Sequence, residues 1–304
     1  MDPADDKVIP VHETADPQHS AEAFDEGPLG QSSKYPMSYT PSLLHPMNRE
    51  MARARAGVVG AEGLRGEDLW TGYDFSWLDG HGKPVVAGLR LRVPCQSAAI
   101  VESKSLKLYL GSFAQSHFVD SAEVRQRLIQ DLSRAFGGSV IVELVALSDF
   151  AANTEVHMAE QCLDALQVAV EVYERDPRLL VAGDAEHEVR ERVFTHLFRS
   201  LCPVTAQPDL ASVYIDYSGQ AIDHAGLLRY LVSYRNHQAF HETTIEQIYV
   251  DLFTTFNPVE LSVHGLFQRR GGLDINPFRS NYRRAAPGCE PYVSRIRRLG
   301  GDRT

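Results

Sequence analysis

The stretch Tyr109-Leu110-Gly111-Ser112-Phe113 has a counterpart further along the chain in Tyr230-Leu231-Val232-Ser233-Tyr234. A second pair, Asp131-Leu132 and Asp251-Leu252, follows at nearly the same offset. A repeat of about 120 residues is longer than the units of solenoid proteins, so it indicates two copies of one structural module. The chain is therefore predicted to be internally duplicated.

Hydrophobic periodicity gives the same order of elements in both copies. Alternating apolar residues predict a half-buried strand in each copy, at Leu89, Leu91 and Val93 and at Val213, Ile215 and Tyr217. A helix with apolar residues at helical spacing follows each strand, the first from Asp120-Ser121 to Gly137-Gly138 and the second ending before Asn257-Pro258. Residues 139–147 and 260–268 read as further strands, and residues 106–110 are expected to be strand-like.

Three regions follow from this order. Residues 1–45 are rich in Asp, Pro, Ser, Gly and His and lack periodicity, which predicts a flexible or surface-draped lead segment. We assign the first module to residues 46–175 and the second to residues 176–304.

Composition narrows the class of protein. The 304 residues are 43% hydrophobic and 23% charged, as in globular proteins, and no apolar run approaches a membrane span. A net charge of -10 argues against a protein that coats nucleic acid. The acidic N-terminus lacks a secretory signal and the four cysteines lack C-x-x-C spacing. We therefore expect a cytoplasmic protein without a membrane or direct nucleic-acid partner.

The two copies differ in their polar residues. Only the second copy has Cys202, Asp209, His241 and Glu242. A duplicated unit whose halves have divided the polar residues in this way predicts one composite pocket between the modules.

Cys202 and Asp209 are the candidates for covalent and acid-base chemistry. A thiolate is a strong nucleophile, and Pro203 and Pro208 restrict the loop that separates the two side chains. The alternatives are a buried inert thiol and a turn-forming carboxylate. His241 and Glu242 are expected at the start of the second module's helix, where the alternative is a carboxylate favoured by the helix dipole beside a solvated imidazole.

Other polar residues suit binding. Glu102 can accept N–H groups from a guanine-like edge, although a surface carboxylate is the alternative. The sequence Arg269-Arg270-Gly271-Gly272 combines charge with a backbone that can approach an anionic cofactor closely. No G-x-G-x-x-G segment occurs, so a nicotinamide cofactor would not be held in a dinucleotide-binding α/β domain.

Four segments in order resemble one enzyme family. They are Glu-Ser-Lys-Ser-Leu-Lys at 102–107, Cys-Pro-Val-Thr-Ala-Gln-Pro-Asp at 202–209, Phe-His-Glu at 240–242 and Arg-Arg-Gly-Gly-Leu-Asp-Ile-Asn-Pro at 269–277. The chain is similar through these motifs, over residues 40–304, to the NADPH-dependent 7-cyano-7-deazaguanine reductases, the nitrile reductases of the queuosine pathway of tRNA modification. The resemblance implies an α+β fold of two tandem tunnelling-fold (T-fold) modules, each an antiparallel sheet backed by helices, and a homodimer.

The resemblance also implies roles for individual residues. Cys202 would attack the nitrile carbon to form a covalent thioimide, and Asp209 would deliver the proton. The deazaguanine would be held by Val101, Glu102, Ser103, His241 and Glu242, and NADPH by Ser103, Lys104, Arg270 and Gly271. Two hydride transfers would then convert the nitrile into a primary amine, and no metal is expected.

Two other functions compete with this hypothesis. A zinc-dependent hydrolase of the same fold, acting on a pterin or purine ring, would use Cys202 as a metal ligand, but a second cysteine close in sequence is absent. A protein that binds the base without catalysis would need Cys202 only as a structural thiol.

Overall fold

The computed structural model describes residues 36–60, 63–148, 161–184 and 187–283. The described residues form five α-helices: α1 (Arg49–Ala56), α2 (Ser103–Gly111), α3 (Ser121–Phe136), α4 (His224–Ser233) and α5 (His241–Phe256). They also form ten strands: β1 (Pro46–Asn48), β2 (Arg65–Leu78), β3 (Pro84–Pro94), β4 (Ala99–Val101), β5 (Ile141–Val145), β6 (Gln161–Cys162), β7 (Val189–Leu201), β8 (Pro208–Gly219), β9 (Glu260–Phe267) and β10 (Leu273–Ser280). The predicted α+β class is confirmed.

One eight-stranded sheet runs through the molecule in the order β5-β3-β2-β10-β9-β8-β7-β6. Its neighbouring strands are antiparallel except for the short β6–β7 pair. The two copies meet where β10 pairs with β2, from Leu273 opposite Gly72 to Ser280 opposite Arg65. The last strand of the second copy therefore continues the sheet of the first.

The duplicated residues make the same contacts in both copies. The Tyr109 hydroxyl donates to the Asp131 carboxylate at 2.8 Å, and the Tyr230 hydroxyl donates to the Asp251 carboxylate at 2.6 Å. In each copy the serine three residues after the tyrosine donates to the tyrosine carbonyl oxygen at 2.6 Å. The repeat seen in the sequence thus preserves a buried bond between two consecutive helices.

The helices cover one face of the sheet and divide the core into two clusters. In the first copy, Val124, Leu128 and Leu132 of α3 pack with apolar residues of β2 and β3. In the second copy, Ile245 and Ile248 of α5 pack with residues of β8 and β9. Each cluster lies under its own pair of helices, which is the arrangement expected of a module that buries one sheet face.

The strand expected at residues 106–110 is wrong, because these residues lie in helix α2. The Glu102 carboxylate caps this helix by accepting from the backbone N–H groups of Lys104 and Ser105, at 2.7 and 2.8 Å. Leu106, Tyr109 and Leu110 then recur at helical spacing and are buried against the first core. The cap and this packing override the apolar alternation of the short run.

The lead segment is described only in its last part. Tyr39 packs its ring edge against Phe113 at 5.0 Å between centroids and donates to Asp131. Residues 36–45 therefore contact the helices of the first copy, whereas the predicted flexibility of residues 1–35 falls outside the described residues. Within the described part, no helix combines the length and the apolar character that crossing a bilayer requires.

Candidate active site

Cys202 begins the loop that joins β7 to β8. Its backbone N–H donates to the Gln207 carbonyl oxygen at 2.9 Å, and its carbonyl oxygen accepts from Ala206 at 3.0 Å. Ala206 has a φ of 54°, in the left-handed region that side chains with a Cβ enter at a cost. Asp209 follows in β8, opposite Ser200. The hairpin thus places the Cys202 thiol and the Asp209 carboxylate at the same end of the β7–β8 pair.

Backbone hydrogen bonds join the cysteine segment to the His-Glu segment. The Leu201 N–H donates to the His237 carbonyl oxygen at 2.8 Å, and the Ala239 N–H donates to the Leu201 carbonyl oxygen at 3.2 Å. Residues 237–239 therefore lie beside the end of β7, directly before Cys202. This pairing explains how two motifs some thirty residues apart reach one site.

His241 and Glu242 are the first two residues of helix α5, as predicted. The preceding N-cap position is Phe240, whose side chain provides no capping hydrogen bond. The N-terminal N–H groups of a helix lack partners within the helix and favour negative charge. This terminus is thereby left available to polar groups at the site.

A cavity of about 370 Å³ lies between the two copies. The first copy lines it with Trp70, Ile100, Val101, Ser103, Lys104 and Lys107. The second copy lines it with residues that include Cys202, Gln207, Asp209, Phe240, His241, Glu242, Gln268, Arg270, Gly271 and Asp274. The composite pocket predicted from the division of polar residues is present in the structure.

Asp209 is held between two basic side chains. Its Oδ2 lies 3.4 Å from His241 Nε2, and its Oδ1 lies 3.1 Å from a guanidinium nitrogen of Arg270. Arg270 also donates to the Gln207 side chain at 3.0 Å and to the Pro208 carbonyl oxygen. Asp209 is only 5% exposed, so these contacts fix the orientation of its carboxylate.

Glu242 is buried and carries an unsatisfied carboxylate oxygen, since Oε1 has no hydrogen-bond partner among the described residues. Burial raises the pKa of Glu242 to about 7, the charge of Asp68 adds to the rise, and Arg49 opposes it. Asp68 and Arg49 belong to a buried ion-pair cluster in which their side chains are 2.8 Å apart. A buried carboxylate of this kind can accept N–H groups of a ligand that enters the cavity.

The first copy contributes its predicted residues unequally. Val101, Ser103 and Lys104 line the cavity, but Glu102 does not, and both of its carboxylate oxygens are used to cap α2. The cavity lining thus brings together Val101, Ser103, His241 and Glu242, whereas Glu102 is not part of it. Its assignment as a substrate ligand stays a prediction.

One wall of the cavity suits an anionic group. Lys104, Lys107 and Arg270 all line it, and Lys107 forms an ion pair with Asp74 at 2.7 Å. Gly271 has a φ of 55°, and a Cβ placed there would meet no atom within 4 Å. Basic side chains beside open backbone fit the phosphates of a nucleotide cofactor.

Several site residues were missed in the sequence. Phe267 stacks on His241, with ring centroids 3.8 Å apart and planes at 5°. Trp70 and Asp274 line the cavity from β2 and β10. Phe267 and Trp70 come from apolar or alternating strand segments and carry no local signal of function, whereas Asp274 lies within the motif at 269–277 without a role assigned to it there.

The zinc alternative finds no ligand set in the described part of the chain, where no group of three or more His, Cys, Asp or Glu side chains could hold a metal ion. Among the described cysteines, Cys95 and Cys202 form no disulfide bond.

Two family models and a set of curated proteins match this chain. The model of the family "Nitrile reductase, 7-cyano-7-deazaguanine-reductase N-term" matches residues 35–144, and the model "QueF-like protein" matches residues 208–286. The NADPH-dependent 7-cyano-7-deazaguanine reductase of Burkholderia cenocepacia (strain HI2424) is 48% identical over 273 residues, which covers 89% of this chain and 96% of that protein. The proteins of the same name from Burkholderia ambifaria (strain ATCC BAA-244 / DSM 16087 / CCUG 44356 / LMG 19182 / AMMD) and Burkholderia multivorans (strain ATCC 17616 / 249) are each 47% identical over 271 residues, with the same coverage.

The two matched segments correspond to the two copies, in agreement with tandem T-fold modules. With this identity over nearly the whole of both chains, the protein belongs to the family of NADPH-dependent 7-cyano-7-deazaguanine reductases.

Proposed function

We propose that this protein reduces the nitrile of 7-cyano-7-deazaguanine to the primary amine of 7-aminomethyl-7-deazaguanine with NADPH, as a step in queuosine biosynthesis. The observation that carries the proposal is one cavity lined by Cys202, Asp209 and Glu242, in a chain 48% identical to a reductase of that name. The cavity supplies a nucleophile, a proton donor and a ligand for the ring.

Cys202 is the nucleophile of the proposed reaction. A nitrile is a poor acceptor of hydride, and addition of the thiolate to its carbon produces a thioimide that accepts hydride more readily. The bond formed is between sulfur and carbon, and one bond of the carbon–nitrogen triple bond is lost as the nitrogen takes a proton. Covalent attachment also keeps the partly reduced product from escaping into water.

Asp209 delivers the proton to the nitrile nitrogen. Its Oδ2 faces His241 Nε2 at 3.4 Å, so His241 is placed to return a proton to the carboxylate after each transfer. The fixed orientation of Asp209 supports this role because proton transfer requires close and directed contact.

The ring is held by the residues around the start of α5. The Glu242 carboxylate accepts the N–H groups of the guanine-type edge, while His241, Val101 and Ser103 border the ring. For Glu102 to act as a further ligand, its carboxylate would have to release the N–H groups of α2 that it caps. The buried Glu242 carboxylate makes the site selective for rings that carry these N–H groups. A ring analogue without them would leave the carboxylate without a hydrogen-bond partner.

Each NADPH, when bound, would supply one hydride, so two NADPH molecules in succession provide the four electrons of the reduction. Ser103, Lys104, Arg270 and Gly271 line the wall suited to its anionic groups. In binding there, Lys104 and Arg270 would neutralise phosphate charge, and Gly271 would allow close approach of the backbone.

The substitution Cys202→Ala tests the proposal. Wild-type protein is expected to oxidise two NADPH for each nitrile consumed, and Cys202→Ala is expected to lose turnover while it keeps substrate affinity, measured by calorimetry. The exposed thiol of Cys162 provides the matched control, since Cys162→Ala should turn over normally. A one-to-one ratio, or an active Cys202→Ala variant, contradicts the proposal.

The same proposal includes a cytoplasmic homodimer that acts on a small molecule and does not bind nucleic acid directly. Light scattering of the purified protein measures the mass of the assembly, and a monomer mass would remove the homodimer from the proposal.

A further inference from the structure

Phe267 is a buried residue at the end of β9 that makes one close contact with the active site. Its ring lies parallel to the imidazole of His241, 3.8 Å between centroids and 5° between planes. Phe267 is fully buried and belongs to the second core cluster, whereas His241 lines the cavity. The pair therefore connects the packed interior to the reacting groups.

Two contacts determine where the His241 ring can lie. The stack fixes the plane of the imidazole, because rotation about the Cβ–Cγ bond would drive its edge into the face of Phe267. Within that plane, Nε2 lies 3.4 Å from Asp209 Oδ2, and Nδ1 has no partner among the described residues. Fixing the plane of the ring thus keeps Nε2 on the proposed proton donor.

Phe267 is itself anchored by polar contacts from β10 and β2. Its backbone N–H donates to the Asn276 side chain at 2.9 Å, and Asn276 donates to Asp274 at 3.0 Å. The Tyr73 hydroxyl donates to the other oxygen of Asp274 at 2.6 Å. A ring held at its backbone in this way is a rigid support for a side chain that must not rotate.

We propose that Phe267 is a positioning residue for the nitrile reduction: it holds the imidazole of His241 in the plane that keeps Asp209 directed at the nitrile nitrogen. This inference rests on the proposed function. Phe267 acts through His241 and does not touch the reacting atoms. A displaced proton donor slows formation of the thioimide, because the step requires close alignment of the groups involved.

The substitution Phe267→Leu tests this role, because leucine keeps an apolar side chain and removes the flat face. The measurement is the rate at which the nitrile adds to Cys202 in the absence of NADPH, followed by intact mass. We expect Phe267→Leu to slow this step about 10-fold or more, and Phe267→Tyr, which keeps a ring, to retain most of the wild-type rate.

Phe278→Leu is the matched control. Phe278 is also almost fully buried, lies on the neighbouring strand and contacts the ring of His264, which does not line the cavity. The control should lose stability to a similar extent and keep the rate of adduct formation. Equal rates in Phe267→Leu and Phe278→Leu, or a slow Phe267→Tyr variant, would overturn the inference.

Proton magnetic resonance of wild-type protein provides a second measurement if Phe267→Leu does not fold. Protons above an aromatic face are shifted upfield, so the ring signals of His241 should lie upfield of those of an unstacked histidine. Unshifted His241 signals would contradict the stacked arrangement. If wild-type protein forms no adduct with the nitrile at all, the proposed function fails, whereas an adduct formed at equal rates in the variants removes only the role of Phe267.

Discussion

The two copies of the module begin their long helices differently. Helix α3 of the first copy is capped by Asp120, whose carboxylate accepts from the Glu123 N–H at 2.8 Å, and Glu123 accepts in return from Val119 at 2.9 Å. Helix α5 of the second copy has Phe240 at the matching position, without a side-chain cap. Both helices have 16 residues and end at a left-handed residue, Gly137 or Asn257.

The start of the helix has a structural role in the first copy and a role at the active site in the second. Where α3 continues with exposed Ser121 and Ala122, α5 continues with His241 and Glu242, which line the cavity. The second copy has thus exchanged a stabilising cap for a helix terminus that faces a ligand. A cap contributes about 1 kcal/mol, so the exchange has a modest cost that the buried face of α5 offsets.

Among changes at the two helix starts, the largest effect is expected from Glu242→Gln. The amide cannot accept two N–H groups at once and presents its own N–H groups to those of the ring, so kcat/KM for the nitrile should fall about 100-fold. The matched change in the first copy, Ala122→Gln, should leave steady-state kinetics within about twofold, since this exposed position does not line the active-site cavity. Similar losses in both variants would remove the functional distinction between the copies.

The pH dependence of nitrile binding provides a second test of the role of Glu242 at the start of α5. Burial raises the pKa of Glu242 to about 7, so the carboxyl is protonated below that value and ionised above it. Affinity for the nitrile should increase as the pH rises through about 7 and then level off, because only the ionised form accepts both N–H groups. Calorimetry on the Cys202→Ala protein measures binding without reaction.

The stability of the unliganded protein should follow the opposite trend. A carboxyl whose pKa is raised by folding contributes its stability below the ordinary value of 4.5, and this contribution is lost as the pH rises to about 7. Glu242→Gln should flatten both dependences. Affinity that strengthens on acidification would contradict the assigned role.

The smallest effect concerns the cap itself. Asp120→Ala should lower the free energy of unfolding by about 1 kcal/mol and leave kcat/KM unchanged. Phe240→Ala removes no cap but removes part of the cavity wall, so we expect KM for the nitrile to rise several-fold. Chemical denaturation and steady-state kinetics on both variants distinguish the two patterns. A Phe240→Ala variant that loses only stability would weaken the comparison.

The sequence predicts the parts of this molecule that are determined locally. Helix α3 was recognised from its cap, its apolar stripe and its terminal glycines, and α5 from a stripe that ends before Asn257-Pro258. Cys202 and His241 could be assigned to one site because their motifs resemble those of one enzyme family, and in the structure a short backbone pairing at Leu201 joins the two segments. Motifs that lie near each other in sequence could be placed at one site without knowing the order of the strands in the sheet.

Features set by distant strands were not predicted. The pairing of β10 with β2 joins segments some 200 residues apart, and no local pattern specifies that partner. Phe267 reads as an ordinary core residue until β9 is placed beside α5. Glu102 was interpreted from its charge and from the motif at 102–107, and neither indicates that the fold uses both of its oxygens to begin a helix at residues expected to be a strand.

The account rests on a bond between the Cys202 sulfur and the nitrile carbon, and the intact mass of the protein after exposure to 7-cyano-7-deazaguanine without NADPH tests it most directly. We predict an increase equal to the full mass of the substrate, since addition to a nitrile releases no leaving group, together with a peptide map that places the adduct on Cys202. An unchanged mass, or an adduct that persists in Cys202→Ala, would contradict the account.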